Sequence, residues 1–248
     1  MKNKPLANTY ILKQYLAKDG EFYVMVGVDF SQNHIIFKSK RYLDIIDKYS
    51  KKFNINKSLI SAIIKEESYF NPLAKSHIPA YGLMQIIPTA NGKDAYRKLT
   101  GENKILSPKY LLDSKNNIEL GTQYLEIIQQ NYLKGIIDPK KLLYCTISTY
   151  NIGIGSLFRS IMNRERITDF NNLQKESIEK INKMTSEELY SHLISSDKLS
   201  IEAKHYLPKV LESFRLFDGY YSKTKADSLE IREETREKID LFIEKYKF

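Results

Sequence analysis

The sequence predicts a mainly α protein with a small β-containing segment at its front, and three observations carry that reading. From Lys40 onward, apolar residues recur at three-and-four spacing in one stretch after another. Strict alternation is confined to the front, where Phe22, Val24, Val26, Val28 and Phe30 alternate with other residues. A length of 248 residues, 42% hydrophobic and 28% charged, suits one principal domain with an appendage or two.

Taken in order, Asn8 to Lys18 reads as a short helix through Ile11, Leu12, Tyr15 and Leu16, and Phe22 to Phe30 as a strand. A second short strand at His34 to Phe37 is expected to pair with it, so residues 1–38 form a small appendage. Tyr42, Leu43, Ile46 and Tyr49 mark a helix, and Leu59, Ile60, Ile63 and Ile64 mark another over Lys57 to Glu67, capped by Asn56 and ended before Pro72. A loop leads into Gly82 to Gln85, and Thr89 is placed to cap a helix reaching Lys98. Ile118, Gly121, Leu125, Ile128 and Tyr132 describe one face of a long helix. Further helices are expected at Lys140 to Tyr150, after Gly155, and after the capping-box pair Thr185 and Glu188. The last domain helix spans about Ile201 to Phe217, with Pro208 as a weak point. Residues 39–220 therefore read as the main domain and 221–248 as an amphipathic helical extension with a Glu234–Lys238 pair.

Composition excludes several classes of function. A net charge of +9 favours anionic partners such as nucleic acid, membrane surface or wall polymer. The chain carries no nucleic-acid fingerprint, zinc-ligand cluster or Gly-rich phosphate loop, so no nucleic acid, metal or cofactor is expected. Cys145, the only cysteine, lies among Leu142, Leu143 and Ile147 and reads as an inert packed thiol rather than a nucleophile. Met1 to Leu16 lacks the apolar core of a signal peptide and no stretch has membrane-span length, so the expectation is a soluble chain.

Glu67 is the first unusual placement. It continues the helical face of Ile60, Ile63 and Ile64, whereas Glu66 points elsewhere. A carboxyl on an apolar face meets a low dielectric that raises its pKa, which suits it to hand a proton to a leaving oxygen. The plain alternative is that Glu67 marks where the apolar stripe reaches solvent. Three motifs follow in order: Glu67-Ser68-Tyr69-Phe70-Asn71-Pro72, Gly82-Leu83-Met84-Gln85, and Thr149-Tyr150-Asn151-x-Gly153-x-Gly155.

Together these motifs resemble the lytic transglycosylase family, which shares the goose-type lysozyme fold, over about residues 39–217. The flanks, Gly92-Lys93-Asp94 and Tyr206-Leu207-x-Lys209-Val210, resemble its membrane-bound lytic transglycosylase C branch. The resemblance implies a lysozyme-like catalytic domain with Glu67 as the catalytic acid. It implies sugar-contacting roles for Ser76, Met84, Gln85, Tyr150, Asn151 and, late in the chain, Tyr206. It also implies peptidoglycan glycan strands as partner, a periplasmic or cell-envelope location, and room for an envelope protein partner at the terminal extensions. Residue chemistry fits: amides of Gln and Asn pair with sugar hydroxyls and N-acetyl groups, and a Tyr hydroxyl can orient a carboxyl. Tyr81, Ile152 and Ile154 depart from the family's usual smaller residues.

Most glycosidases use two carboxylates. Here no other Asp or Glu belongs to the motifs, and Asp94 and Asp113 read as solvated or capping residues. The resemblance resolves this with a single-carboxylate reaction: cleavage of the MurNAc-β-1,4-GlcNAc bond without water, leaving 1,6-anhydroMurNAc ends. A hydrolytic muramidase and a non-catalytic peptidoglycan-binding protein are the alternatives.

Overall fold

The computed structural model describes the backbone of residues 9–16, 22–29 and 32–245 and the side chains of residues 34–224. The chain divides into two compact units, Met1–Asp44 and Ile45–Phe248. In the first, strands β1 (Thr9–Leu16) and β2 (Phe22–Asp29) pair antiparallel, with Thr9 opposite Asp29 and Leu16 opposite Phe22. Helix α1 (Gln32–Ser39) and a 3-10 turn (Lys40–Tyr42) follow. Two expectations are corrected here. The helix expected at Asn8 to Lys18 is β1, where Thr9, Tyr10, Ile11 and Tyr15 are residue types that suit a pleated strand. The strand expected at His34 to Phe37 lies inside α1, since a run that short does not reveal its period.

The second unit is helical among its described residues. Helices α2 (Leu43–Phe53) and α3 (Lys57–Ser68) lead into a long loop, then α4 (Asn91–Thr100), the single-turn α5 (Pro108–Leu111) and α6 (Ser114–Ile127), which continues as a π-helical turn (Ile128–Tyr132). Helices α7 (Pro139–Ile152), α8 (Ile154–Met162), α9 (Phe170–Lys183), α10 (Ser186–Ser195) and α11 (Ile201–Lys245) complete it. The caps explain most boundaries. Asn56 accepts from the Ser58 amide, Asp113 from Asn116, Asp138 from Lys141 and Asp169 from Asn172, each satisfying a first-turn donor. Thr185 and Glu188 form the expected capping box.

Elsewhere the boundaries differ from the pattern. Thr89 does not cap α4; the residue before that helix is Ala90, and the Asn91 side chain turns back to accept from the Ile87 amide at 2.7 Å. Helix α9 occupies a stretch to which the pattern assigns no element. The helix expected to stop near Phe217 runs on to Lys245. The Glu234–Lys238 pair falls outside the described side chains.

The core is organised around α3, whose residues Ser58 to Ile64 are all buried. It lies against α11 through Ser61 with the Tyr221 hydroxyl (2.7 Å) and Ser58 with Asp218 (3.2 Å), and just past its end Phe70 packs on Phe217 (ring centroids 5.8 Å apart). On the far side, buried Lys141 donates to the carbonyls of Ile181, Asn182 and Met184 at 2.9–3.1 Å. A cation thus satisfies orphan acceptors at the C-terminus of α9. Cys145 is fully buried and its thiol is pushed up to about 12 by that burial, which keeps it protonated and inert.

One buried side chain secures the turn that the site needs. Asn117 donates to the carbonyls of Tyr81 and Leu111, both at 2.7 Å, and accepts from the Met84 amide at 2.7 Å. Gly82, at φ +75°, passes so close that an added Cβ would sit 2.4 Å from the Asn117 amide nitrogen. Asn117→Ala leaves three buried backbone groups without this partner, and urea unfolding is expected to show a loss of about 3 kcal/mol. An unchanged midpoint would mean that the turn is held by other contacts.

Candidate active site

Glu67 sits in the last turn of α3, one turn beyond the fully buried Ile63 and Ile64. The helix ends at once: Tyr69 and Phe70 both take positive φ, 52° and 59°, and the Tyr69 amide closes on the Lys65 carbonyl. Ser68 Oγ reaches across to the Leu83 carbonyl at 2.8 Å, which binds the end of α3 to the Gly82-Leu83-Met84-Gln85 turn. That turn is tightened by paired backbone bonds between Tyr81 and Ile86, both 3.0 Å, and by Gln85 Nε2 donating to the Gly82 carbonyl at 2.9 Å. Gln85 itself adopts φ +46°.

A cleft of about 410 Å³ opens where these elements meet α7 and the start of α11. Five of the seven residues singled out from the sequence line it: Glu67, Ser76, Gln85, Tyr150 and Asn151. Tyr206 joins them through its hydroxyl, which donates to Glu67 Oε1 at 2.5 Å. The Tyr150 hydroxyl instead donates to the Met84 carbonyl at 2.8 Å, and its ring stands edge-on to Tyr124. Tyr206, not Tyr150, therefore holds the carboxyl. Met84 requires a correction: its side chain is fully buried, with Sδ against Gly121, and does not line the cleft. Ser76 is exposed, with its hydroxyl turned to the Ile78 carbonyl.

The electrostatics single out Glu67. Its pKa is raised to about 7, first by burial of the carboxyl and then by the nearby charges of Glu202 and Glu66, while the Tyr206 hydrogen bond opposes the shift. The C-terminal end of α3 adds a negative dipole end to the same neighbourhood. Burial also raises the hydroxyls of Tyr150 and Tyr206 well above their ordinary value, so both stay neutral donors. A partly buried acid that is half protonated near neutrality, with one oxygen fixed by a tyrosine and an open cleft before it, is equipped to donate a proton to a bound oxygen.

Glu66 is turned away from the cleft, paired with Lys65 and Ser213. Asp113 is a helix cap, and Asp94 lines a separate recess beside Arg97 and Tyr132. Sequence reasoning missed Glu202, Asn91 and His77, all of which line the cleft. A signal for Glu202 existed: it lies four residues before Tyr206 on α11, one turn away on the same face.

Residues 44–172 match the family described as Transglycosylase SLT domain. The chain is 34% identical over 224 residues to the membrane-bound lytic murein transglycosylase C of Mannheimia succiniciproducens, covering 88% of this chain and 60% of that protein. Against the protein of the same name from Haemophilus influenzae it is 34% identical over 213 residues, covering 84% and 57%. The chain thus spans between half and two thirds of the length of these curated relatives. Among solved structures it is similar to the 70 kDa soluble lytic transglycosylase of Escherichia coli, with a TM-score of 0.52 and 24% identity over 73% of this chain and 24% of that one. This likeness is one of fold and agrees with the mainly helical, lysozyme-like architecture expected. The matched span contains α3, the Gly82 turn and α7, which carry Glu67, Gln85 and Tyr150, and the chain belongs to the transglycosylase SLT domain family.

Proposed function

We propose that this chain is a peptidoglycan lytic transglycosylase, which cuts the MurNAc-β-1,4-GlcNAc linkage without water and leaves 1,6-anhydroMurNAc ends. The observation that carries this reading is Glu67, a carboxyl raised to about 7 inside the cleft and gripped by Tyr206. Glu67 protonates the glycosidic oxygen, and the C1–O bond breaks while the substrate's own N-acetyl oxygen stabilises the positive C1. The Glu67 carboxylate then takes the proton of the MurNAc C6 hydroxyl, whose oxygen closes on C1. The acid is regenerated and no water is consumed. Gln85 and Asn151 supply amide groups for sugar hydroxyls and N-acetyl groups along the same wall, and Ser76 supplies a hydroxyl at the rim. The substrate places the chain in the periplasm or cell envelope, in keeping with the membrane-bound relatives it matches.

One observation favours a second reading. Glu202 lines the cleft with Glu67, so a second carboxylate is at hand to activate water, as in a hydrolytic muramidase. We rank it below the first because the family match speaks for transglycosylase chemistry and Glu202 is exposed.

Mass spectrometry of products from isolated peptidoglycan separates the two. Wild type is expected to release anhydromuropeptides, one water lighter than hydrolytic products, and Glu67→Gln to lose about a thousandfold or more of that activity. Reducing muropeptides that disappear in Glu202→Gln would establish the muramidase instead.

The pH dependence has a definite sign. A raised pKa keeps Glu67 protonated below about 7, so kcat/KM should decline as pH rises through that value. In Tyr206→Phe, loss of the hydrogen bond that favours the ionised form should move this decline to higher pH. The same variant should cut kcat by about ten- to a hundredfold, because the carboxyl is no longer oriented. A decline that stays in place in Tyr206→Phe would argue against the bond acting on the working acid.

A further inference from the structure

Glu66 directly precedes the proposed acid, yet its side chain leaves the cleft. Its Oε1 receives the Lys65 ammonium at 2.7 Å and a 2.5 Å hydrogen bond from Ser213 Oγ. Lys65 Nζ also donates to Ser213 Oγ at 2.8 Å, which closes a triangle. The cluster is poorly exposed: 18% for the Lys65 side chain, 10% for Glu66 and 1% for Ser213. Taking such a pair out of water costs much of what its attraction returns, so stability alone is a weak reason for it.

Its position gives a better reason. Ser213 follows Tyr206 by seven residues, two turns along α11 and on the same face, about 10 Å away at 1.5 Å per residue. The triangle and the Tyr206–Glu67 bond are thus two neighbouring ties between the same pair of helices. Glu66 from its own helix, Tyr206 and Glu202 from α11 and Tyr150 from α7 act on Glu67, while His77 lines the same cleft and Lys65 stands beside Glu66. Glu66 is the one bound to a cation by an ion pair among the described residues.

We propose that Lys65 and Ser213, acting through Glu66, are positioning residues for Glu67: they pin the last turn of α3 to α11 and set the charge beside the acid. The inference rests on Glu67 being the general acid. It has a signature that mere packing lacks. Deleting the Glu66 charge removes a repulsion, so Glu67 ionises at lower pH. Deleting the Lys65 charge leaves Glu66 unbalanced, so Glu67 ionises at higher pH. The two halves of one ion pair therefore move the acid in opposite directions.

The test is the pH profile of kcat/KM on isolated peptidoglycan for wild type, Glu66→Gln, Lys65→Met, Ser213→Ala and Ser213→Thr, each checked for folding by thermal melting. The high-pH limb is expected to shift down by about half a unit in Glu66→Gln and up by about as much in Lys65→Met. Lys65→Gln takes the place of Lys65→Met should the latter not fold. Ser213→Ala is expected to lower kcat by about fivefold with KM little changed, and Ser213→Thr to restore it. Limbs that stay fixed or move in the same direction in folded variants overturn the proposal, as does a Ser213→Ala loss that threonine fails to rescue. A wild-type protein with no glycan cleavage at all defeats the reading of the acid itself, which is a separate result.

Discussion

A carboxyl group placed at the C-terminal end of a buried helix resists ionisation, and the site depends on that constraint. The charged form would face the apolar flank of Ile63 and Ile64, the carbonyl end of α3, and the carboxylates of Glu202 and Glu66. The Tyr206 hydrogen bond pulls the other way. The balance leaves a proton on Glu67 near neutrality. The remaining architecture can be understood as what keeps that carboxyl buried, aimed and reachable by substrate at once.

Three ties do this work from different directions. α11 closes one side, with Tyr206 on Glu67 and Phe217 on Phe70. Ser68 binds the end of α3 to the Leu83 carbonyl, so the acid and the Gln85 wall keep a fixed spacing. Asn117, buried and with three bonds to the backbone around Gly82, keeps that wall in shape, and Tyr150 adds a fourth bond from α7 to the Met84 carbonyl. The turn at residues 82–85 is therefore held from α3, α6 and α7, which is how a loop reaches the precision that proton transfer demands.

What the sequence disclosed divides by range. Local chemistry was legible: Asn56 as a cap, the Thr185–Glu188 box, and Glu67 continuing the stripe of Ile60, Ile63 and Ile64 while Glu66 faced away. Cooperative and long-range features were not. Tyr206 and Glu67 lie 139 residues apart, and only the resemblance hinted that they meet. Met84 was expected at the sugar because its motif is, but Leu83 and Met84 are both fully buried in the turn, and the Met84 side chain lies in the core against Gly121. Glu202 escaped notice because it belongs to no motif and enters the cleft only through the course of α11. The short run His34 to Phe37 fits either period, and in the structure it is part of α1.

The most direct test of this account is a titration of Glu67 itself, following its side-chain carboxyl resonance by 13C NMR and assigning it by its disappearance in Glu67→Gln. A midpoint near the raised value of about 7 is predicted. A midpoint in the ordinary carboxylate range would contradict the account, because Glu67 would then be ionised near neutrality with no proton to give.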